Sequence, residues 1–371
     1  MSQTLPLLDQ PVSQTTGPSL IERITAHRPR ITSKHVPATA DRWVLASNLQ
    51  KAIRRGLVPN AEATAIRLLA VDPQYFWRRV VVVAYEDVGF GDIELCHELL
   101  RTFRREALHR ELGAENVAQY FAHELALARK SRAMCDALAA LEFSVRRGEY
   151  ERQCQDRTDD QLLATICNSG TPVTDRIAAL RHVCGYRVVE RGMYRSGVPA
   201  RTDLMHEVCR RLELPEIEAR LFTSGQGASD SLNIPLPMVF QMARASQQSE
   251  YQAEQVFEGK HGILYAALDR HTRAGRRCFA RLAKEVRPVR EFFATHPELD
   301  PVAVIGAGVF VVEGATLDRR LVFDGADTLR REFNQNFLEY VKVAPDDHDE
   351  LLSLVKINLR RLNRIRAGEM A

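Results

Sequence analysis

The sequence predicts a mainly α-helical fold. It divides into two helical domains behind a disordered N-terminal arm, with room for a short β-hairpin near 302–323. Three observations lead there. Apolar residues recur at helical spacing through most of 41–371, strand-like alternation is confined to 302–312 and 320–323, and a length of 371 residues suits two domains. A hydrophobic fraction of 45% and a charged fraction of 27% are ordinary for a chain that buries a core.

Residues 1–40 carry Pro6, Pro11, Pro18, Pro29 and Pro37 among Ser, Thr and Gln, with no hydrophobic period, and read as a flexible arm. The first helical domain is expected over 41–150. Trp43, Leu45, Leu49, Ala52 and Ile53 share one helix face, and Gly56 and Pro59 end that pattern. Further helices are expected over 61–70, 75–88, 95–112 and, as one or two, 116–144. A polar stretch over 146–160 and a turn at 168–172 suggest a boundary. The second domain, 151–371, shows helical patterns over 175–183, 201–212, 237–246, 262–286, 289–295, 325–342 and 347–366, with 302–312 readable as helix or strand.

No apolar run approaches the roughly 20 residues that span a bilayer. The seven cysteines form no Cys-x-x-Cys pair and read as reduced thiols, which suggests a cytoplasmic protein with no membrane role. Asp347 and Glu350 fit a capping box better than a cation site.

Few motifs carry chemistry. There is no Gly-x-x-x-x-Gly-Lys-Ser/Thr, and Gly259-Lys260-His261-Gly262 lacks the hydroxyl that would hold magnesium. Gly306-Ala307-Gly308 reads as close helix packing. His182, Cys184, His206 and Cys209 are ligand types for zinc, but their spacing matches no common module. No nucleophile signature is present. Neither a metal, a cofactor nor a catalytic residue is therefore assigned.

The basic residues are more informative. Of the 51, 44 are Arg and 7 are Lys. On one continuous helix, Arg270, Arg273, Arg277, Arg281 and Lys284 fall on one face, opposite Leu268, Phe279, Leu282 and Val286. Arg360, Arg361, Arg364 and Arg366 form a second, looser cluster. Such rows suit a phosphate track.

Three segments of the first domain carry a resemblance. Leu49-Gln50-Lys51-Ala52-Ile53-Arg54-Arg55-Gly56 is followed by Arg78-Arg79-Val80-Val81-Val82-Val83-Ala84-Tyr85-Glu86-Asp87-Val88-Gly89. Leu127-Ala128-Arg129-Lys130-Ser131-Arg132 comes third. Over about 45–141 this order resembles the helical C-terminal part of the RarA/MgsA (Werner helicase-interacting) AAA+ family, without its ATPase module. The resemblance implies a clamp-loader-like, self-associating helical region working beside replication or repair proteins on DNA, single-stranded ends included. Arg78, Arg79, Glu86, Asp87, Lys130 and Ser131 are the residues that match the motifs. Independently of it, the run 80–85 is apolar on all sides and must be buried. Glu86 and Asp87 at its C-terminal end oppose the helix dipole, so a cationic partner, Lys130 or Arg132, is expected.

These readings lead to a non-catalytic accessory or adaptor protein of DNA metabolism, a homo-oligomer that holds nucleic acid on its basic face. One rival is an enzyme processing nucleic acid or nucleotides, with a site in 151–371 built from His261, Asp269 or His271 and a carboxylate such as Glu258. The other is a structural module that binds an acidic protein.

Overall fold

Most segments with a helical apolar period form helices, and several begin at a capping residue. In this computed structural model the described residues are 17–187, 195–196, 199–223, 230–244, 249–251 and 259–370. Helix α1 (Leu20–Ala26) starts at a Ser19–Glu22 capping box, and α2 (Arg42–Arg54) at the Asp41 carboxylate. Pro59 does not break a helix. It sits in the first turn of α3 (Val58–Val71), where no N–H is needed. Asp72 caps α4 (Pro73–Val83), which runs into a π-helical turn, Ala84–Val88. The expected helix over 95–112 is two, α5 (Ile93–Thr102) and α6 (Glu106–Leu112). Two longer helices, α7 (Ala114–Leu127) and α8 (Ala133–Phe143), complete this half.

Seven helices follow: α9 (Arg147–Gln155), α10 (Asp159–Cys167), α11 (Val173–Val183), α12 (Thr202–Leu212), α13 (Glu216–Thr223), α14 (Asp230–Asn233) and α15 (Leu236–Arg244). The expected helix over 262–286 begins only at Thr272, whose hydroxyl caps α16 (Arg273–Glu285). Helix α17 (Arg287–Thr295) is next, then α18 (Pro301–Val309), started by Asp300 and Pro301. A second π-helical turn, Phe310–Gly314, extends α18. Helices α19 (Ala326–Tyr340) and α20 (His348–Glu369) end the chain. Asp347 makes no capping hydrogen bond to α20, and its carboxylate faces His296 at 3.3 Å instead.

Strands are short. β1 (Tyr186–Arg187) pairs with β2 (Arg195–Ser196). The hairpin admitted near 302–323 does not form. Residues 302–312 are helical, because the Asp300–Pro301 start and burial override the β-branched side chains. The strand expected at 320–323 is present as β6 (Arg320–Val322), and its antiparallel partner is the distant β3 (Ser249–Tyr251). β4 (Gly259–Lys260) and β5 (Ile263–Leu264) form a hairpin around His261 and Gly262, whose φ values of 52° and 72° suit a two-residue turn. That turn packs on the Val36 backbone, where a Cβ on Gly262 would clash.

Two sets of contacts bear on the organisation. Only 17–40 of the arm lies among the described residues, and it is docked. Ile24 is 2% exposed, Arg23 donates to the Tyr120 hydroxyl, and the Ala38 N–H donates to the His261 carbonyl. Nor does packing stop at 150. Helix α8 lies along α19, and Lys130 bridges Arg320, its N–H donating to Arg319 O at 3.0 Å. The apolar core runs through both halves. No described helix is long and apolar enough to cross a membrane.

Candidate anion-binding cavity and basic face

Helix α2 carries Ser47, Gln50, Lys51 and Arg54 at helical spacing on a helix that is buried nearly all round. Buried polar groups must find partners, and these find them in the two π turns and in the loop before α16. Asp87, in the first π turn, is fully buried. It accepts from Arg54 Nε at 2.6 Å, Arg132 Nη1 at 2.7 Å and Gln50 Nε2 at 2.9 Å. Burial opposes its ionisation, but the Arg54 and Arg132 guanidinium groups hold its pKa below the usual carboxylate range. Arg54 Nη1 continues to Gly314 O at 2.5 Å, and Arg55 Nη2 reaches Glu313 O at 3.1 Å. The two guanidinium groups thus satisfy carbonyls of the second π turn, which, as the last turn of its helix, has no following helical N–H groups to pair them.

Glu86 accepts from Gln50 at 2.6 Å and lies 3.8 Å from Arg79, which also donates to Gln50. Arg78 is exposed and bonds only Gln74 O. The expected cation for Asp87 is therefore Arg132, joined by Arg54, and not Lys130. Lys130 Nζ turns to the carbonyls of Ala126 and Ala128, and burial brings its pKa down to about 7. Ser131 is buried, with its N–H on Asp87 O and Val88 O. The motif residues other than the exposed Arg78 thus fix helix packing.

Between α2, α4, α8, α18 and α19 lies a cavity of about 490 Å³. Lys51, Arg54, Arg79, Arg132 and Arg270 line it, with Glu86, Asp269 and His271. Rings of Phe310, Phe333 and Phe337 form an apolar wall. Lys51 pairs with Asp269, and the Ser47 hydroxyl accepts from Lys51 at 2.9 Å and donates to Asp269 at 2.7 Å. Burial raises the Asp269 pKa, yet the Lys51 ammonium wins and leaves it well below the usual range. His271 is held low, by burial first and then by Arg270, Lys51 and Arg79 against the pull of Asp269, which favours its neutral imidazole. Burial pushes the Cys135 thiol up to about 12, which removes it as a nucleophile.

The basic row is only partly the one expected. Arg270 precedes α16 and turns inward, with its guanidinium 4.8 Å from the Phe337 ring centroid. Thr272 starts the helix too late to carry it. Arg277 pairs with Glu369, and Arg281 with Glu285 at 3.0 Å. Arg273 and Lys284 stay exposed, and Arg276, not anticipated, joins them. Helix α20 packs against α16 and exposes Lys356, Arg360, Arg361 and Arg364. These seven cations have no ion-pair partner among the described residues. Arg366, by contrast, is buried on Glu313 at 2.8 Å.

Of the other candidates, His261 is exposed and does not line the cavity, and Glu258 lies outside the described residues. His182, Cys184, His206 and Cys209 do not bring three ligand atoms together. Sequence reasoning missed the cavity. The signal that could have found it is the polar spacing 47, 50, 51, 54 inside a helix with no solvent face. The chain matches no family model, no curated protein and no solved structure.

Proposed function

We propose that the protein binds the phosphate backbone of nucleic acid along the face formed by α16 and α20. The observation that carries this is the set of seven exposed cations without acidic partners among the described residues, on two helices packed side by side. Arg273 to Lys284 alone extends about 16 Å along α16, enough to follow several phosphates. Aromatic side chains are few there, which favours backbone contact over base reading. In this reading the protein is a non-catalytic accessory factor of DNA metabolism that self-associates beside replication or repair proteins. The family resemblance over 45–141 is its support for that biological setting. Titrating salt against single-stranded and duplex DNA tests it. Binding should weaken steeply with salt, and no measurable affinity at low salt ends the proposal.

A second reading has its own observation. His271 and Asp269 share one cavity with Lys51, Arg79 and Arg270. A neutral imidazole among cations suits a small anionic ligand, and the volume falls in the range of ligand pockets. This is the nucleotide-processing alternative. Calorimetry with nucleoside monophosphates and pyrophosphate tests it, with His271→Ala and Arg270→Ala as the variants that should weaken binding.

A further inference from the structure

Far in sequence from both sites, three side chains from three segments meet. His27 follows α1 in the docked segment, Glu62 lies on α3 and His123 on α7. His123 Nδ1 is 2.8 Å from Glu62 Oε1, and His27 Nε2 is 3.2 Å from the same oxygen. All three donor atoms lie within 4.8 Å of one another. The imidazole rings meet edge to face with centroids 4.7 Å apart.

We propose that His27, Glu62 and His123 bind a divalent transition ion of the zinc type, which clasps residues 17–40 onto α3 and α7. The Glu62 side chain has no exposure, and neither Lys nor Arg pairs with it among the described residues. Its Oε2 accepts the Arg30 N–H at 2.8 Å, which leaves Oε1 facing the two imidazoles. A buried carboxylate needs a compensating positive charge. The His27 side chain is 9% exposed, and its Nε2 makes no hydrogen bond despite its closeness to Oε1. An ion between the groups answers both demands. A tetrahedral ion with bonds of about 2.0–2.1 Å holds its ligand atoms about 3.3 Å apart, and Oε1 already lies 2.8 and 3.2 Å from the two nitrogens, with no pair of the three beyond 4.8 Å. Two imidazoles and a carboxylate are a borderline donor set that suits zinc and cobalt over calcium or magnesium. Three protein ligands leave a fourth position for water.

The test is cobalt and zinc titration of chelator-treated full chain. One equivalent of cobalt should produce the visible absorption of a tetrahedral site, and zinc should displace it. Zinc should also slow proteolysis within 17–40. His27→Ala and His123→Ala should weaken cobalt binding by at least about tenfold, the least that loss even of an outer-shell partner costs. Folded wild type that gives no cobalt spectrum overturns the proposal, as does unchanged binding in both variants. Should a variant fail to fold, the wild-type experiment decides alone: zinc that leaves proteolysis of 17–40 unaltered removes the clasp.

Discussion

Arginines of α2 and arginines of α16 carry the same charge in opposite settings. Arg54 is 3% exposed and is fixed on Asp87 and on a π-turn carbonyl. Arg273 and Arg276 on α16 are exposed, with no acid among the described residues to hold them. A guanidinium inside the protein is part of the structure, because leaving it unpaired there costs several kcal/mol. Outside, its pairing is worth about 1 kcal/mol or less, so it remains available to a partner. These arginines therefore divide by burial into cations that build the core and cations left open to a partner. Arg270 falls on the boundary. It belongs to the basic row by sequence and to the cavity by structure.

The strongest way to break this contrast is to remove Asp87. Asp87→Ala removes the carboxylate that Arg54 and Arg132 share in the core and leaves Arg132 only Asp136 at 3.4 Å, and the expected loss is about 3–5 kcal/mol of unfolding free energy, read by denaturant titration. A loss under about 1 kcal/mol would mean that these guanidinium groups do not depend on Asp87. Gly275→Ala should rank next. A Cβ there meets the Asp269 backbone, so it forces apart the turn that joins α16 to the cavity. Overpacking of this kind costs about 1–3 kcal/mol, and a thermal melt at unchanged stability would contradict it.

Acid should act on the buried side first. His97, 5% exposed on α5, is brought down to about 4, by burial and then by Arg101 and Arg220. Its folded pKa lies below the unfolded value of about 6.5. Between those two values the unfolded chain binds the extra proton, so stability falls as pH drops through that window. Burial lowers His271 as well, in the same sense. His97→Gln should flatten the acid limb between about pH 6.5 and 4, measured as denaturation midpoint against pH. An unaltered limb would place the proton uptake elsewhere.

How much of this was legible in the sequence depends on what each residue answers to. Most helices and the burial of Val80, Val81, Val83, Ala84 and Tyr85 follow from the apolar period, while Val82 of the same run is only half-buried and lines the cavity. The Asp87–Arg132 pair was accessible because a carboxylate at the end of a buried helix demands a cation. Its second cation, Arg54, was not, since a π turn and two distant helices place it. A 100° wheel kept Arg270 in the basic row because it cannot see that Thr272 caps the helix. Neither does it say which acids reach Arg277 and Arg281. The His27–Glu62–His123 set has no spacing signature, for its members are brought together only when the first segment docks.

The exposed side is tested by the variant expected to cost least in stability. Arg273, Arg276 and Arg360 change to Glu together. None has an ion-pair partner to lose among the described residues, so unfolding free energy should move by no more than about 0.5 kcal/mol per site. Nucleic-acid affinity should nonetheless collapse at low salt. The slope of log affinity against log salt should shrink by about 0.9 for each duplex phosphate contact removed, to roughly 2.7 for all three. Reversal of the paired Arg281 should change that slope less, because Glu285 already neutralises it. Equal slopes for the triple variant and wild type would take α16 and α20 out of the interface. A triple variant that lost stability as Asp87→Ala does would erase the distinction between building and binding cations.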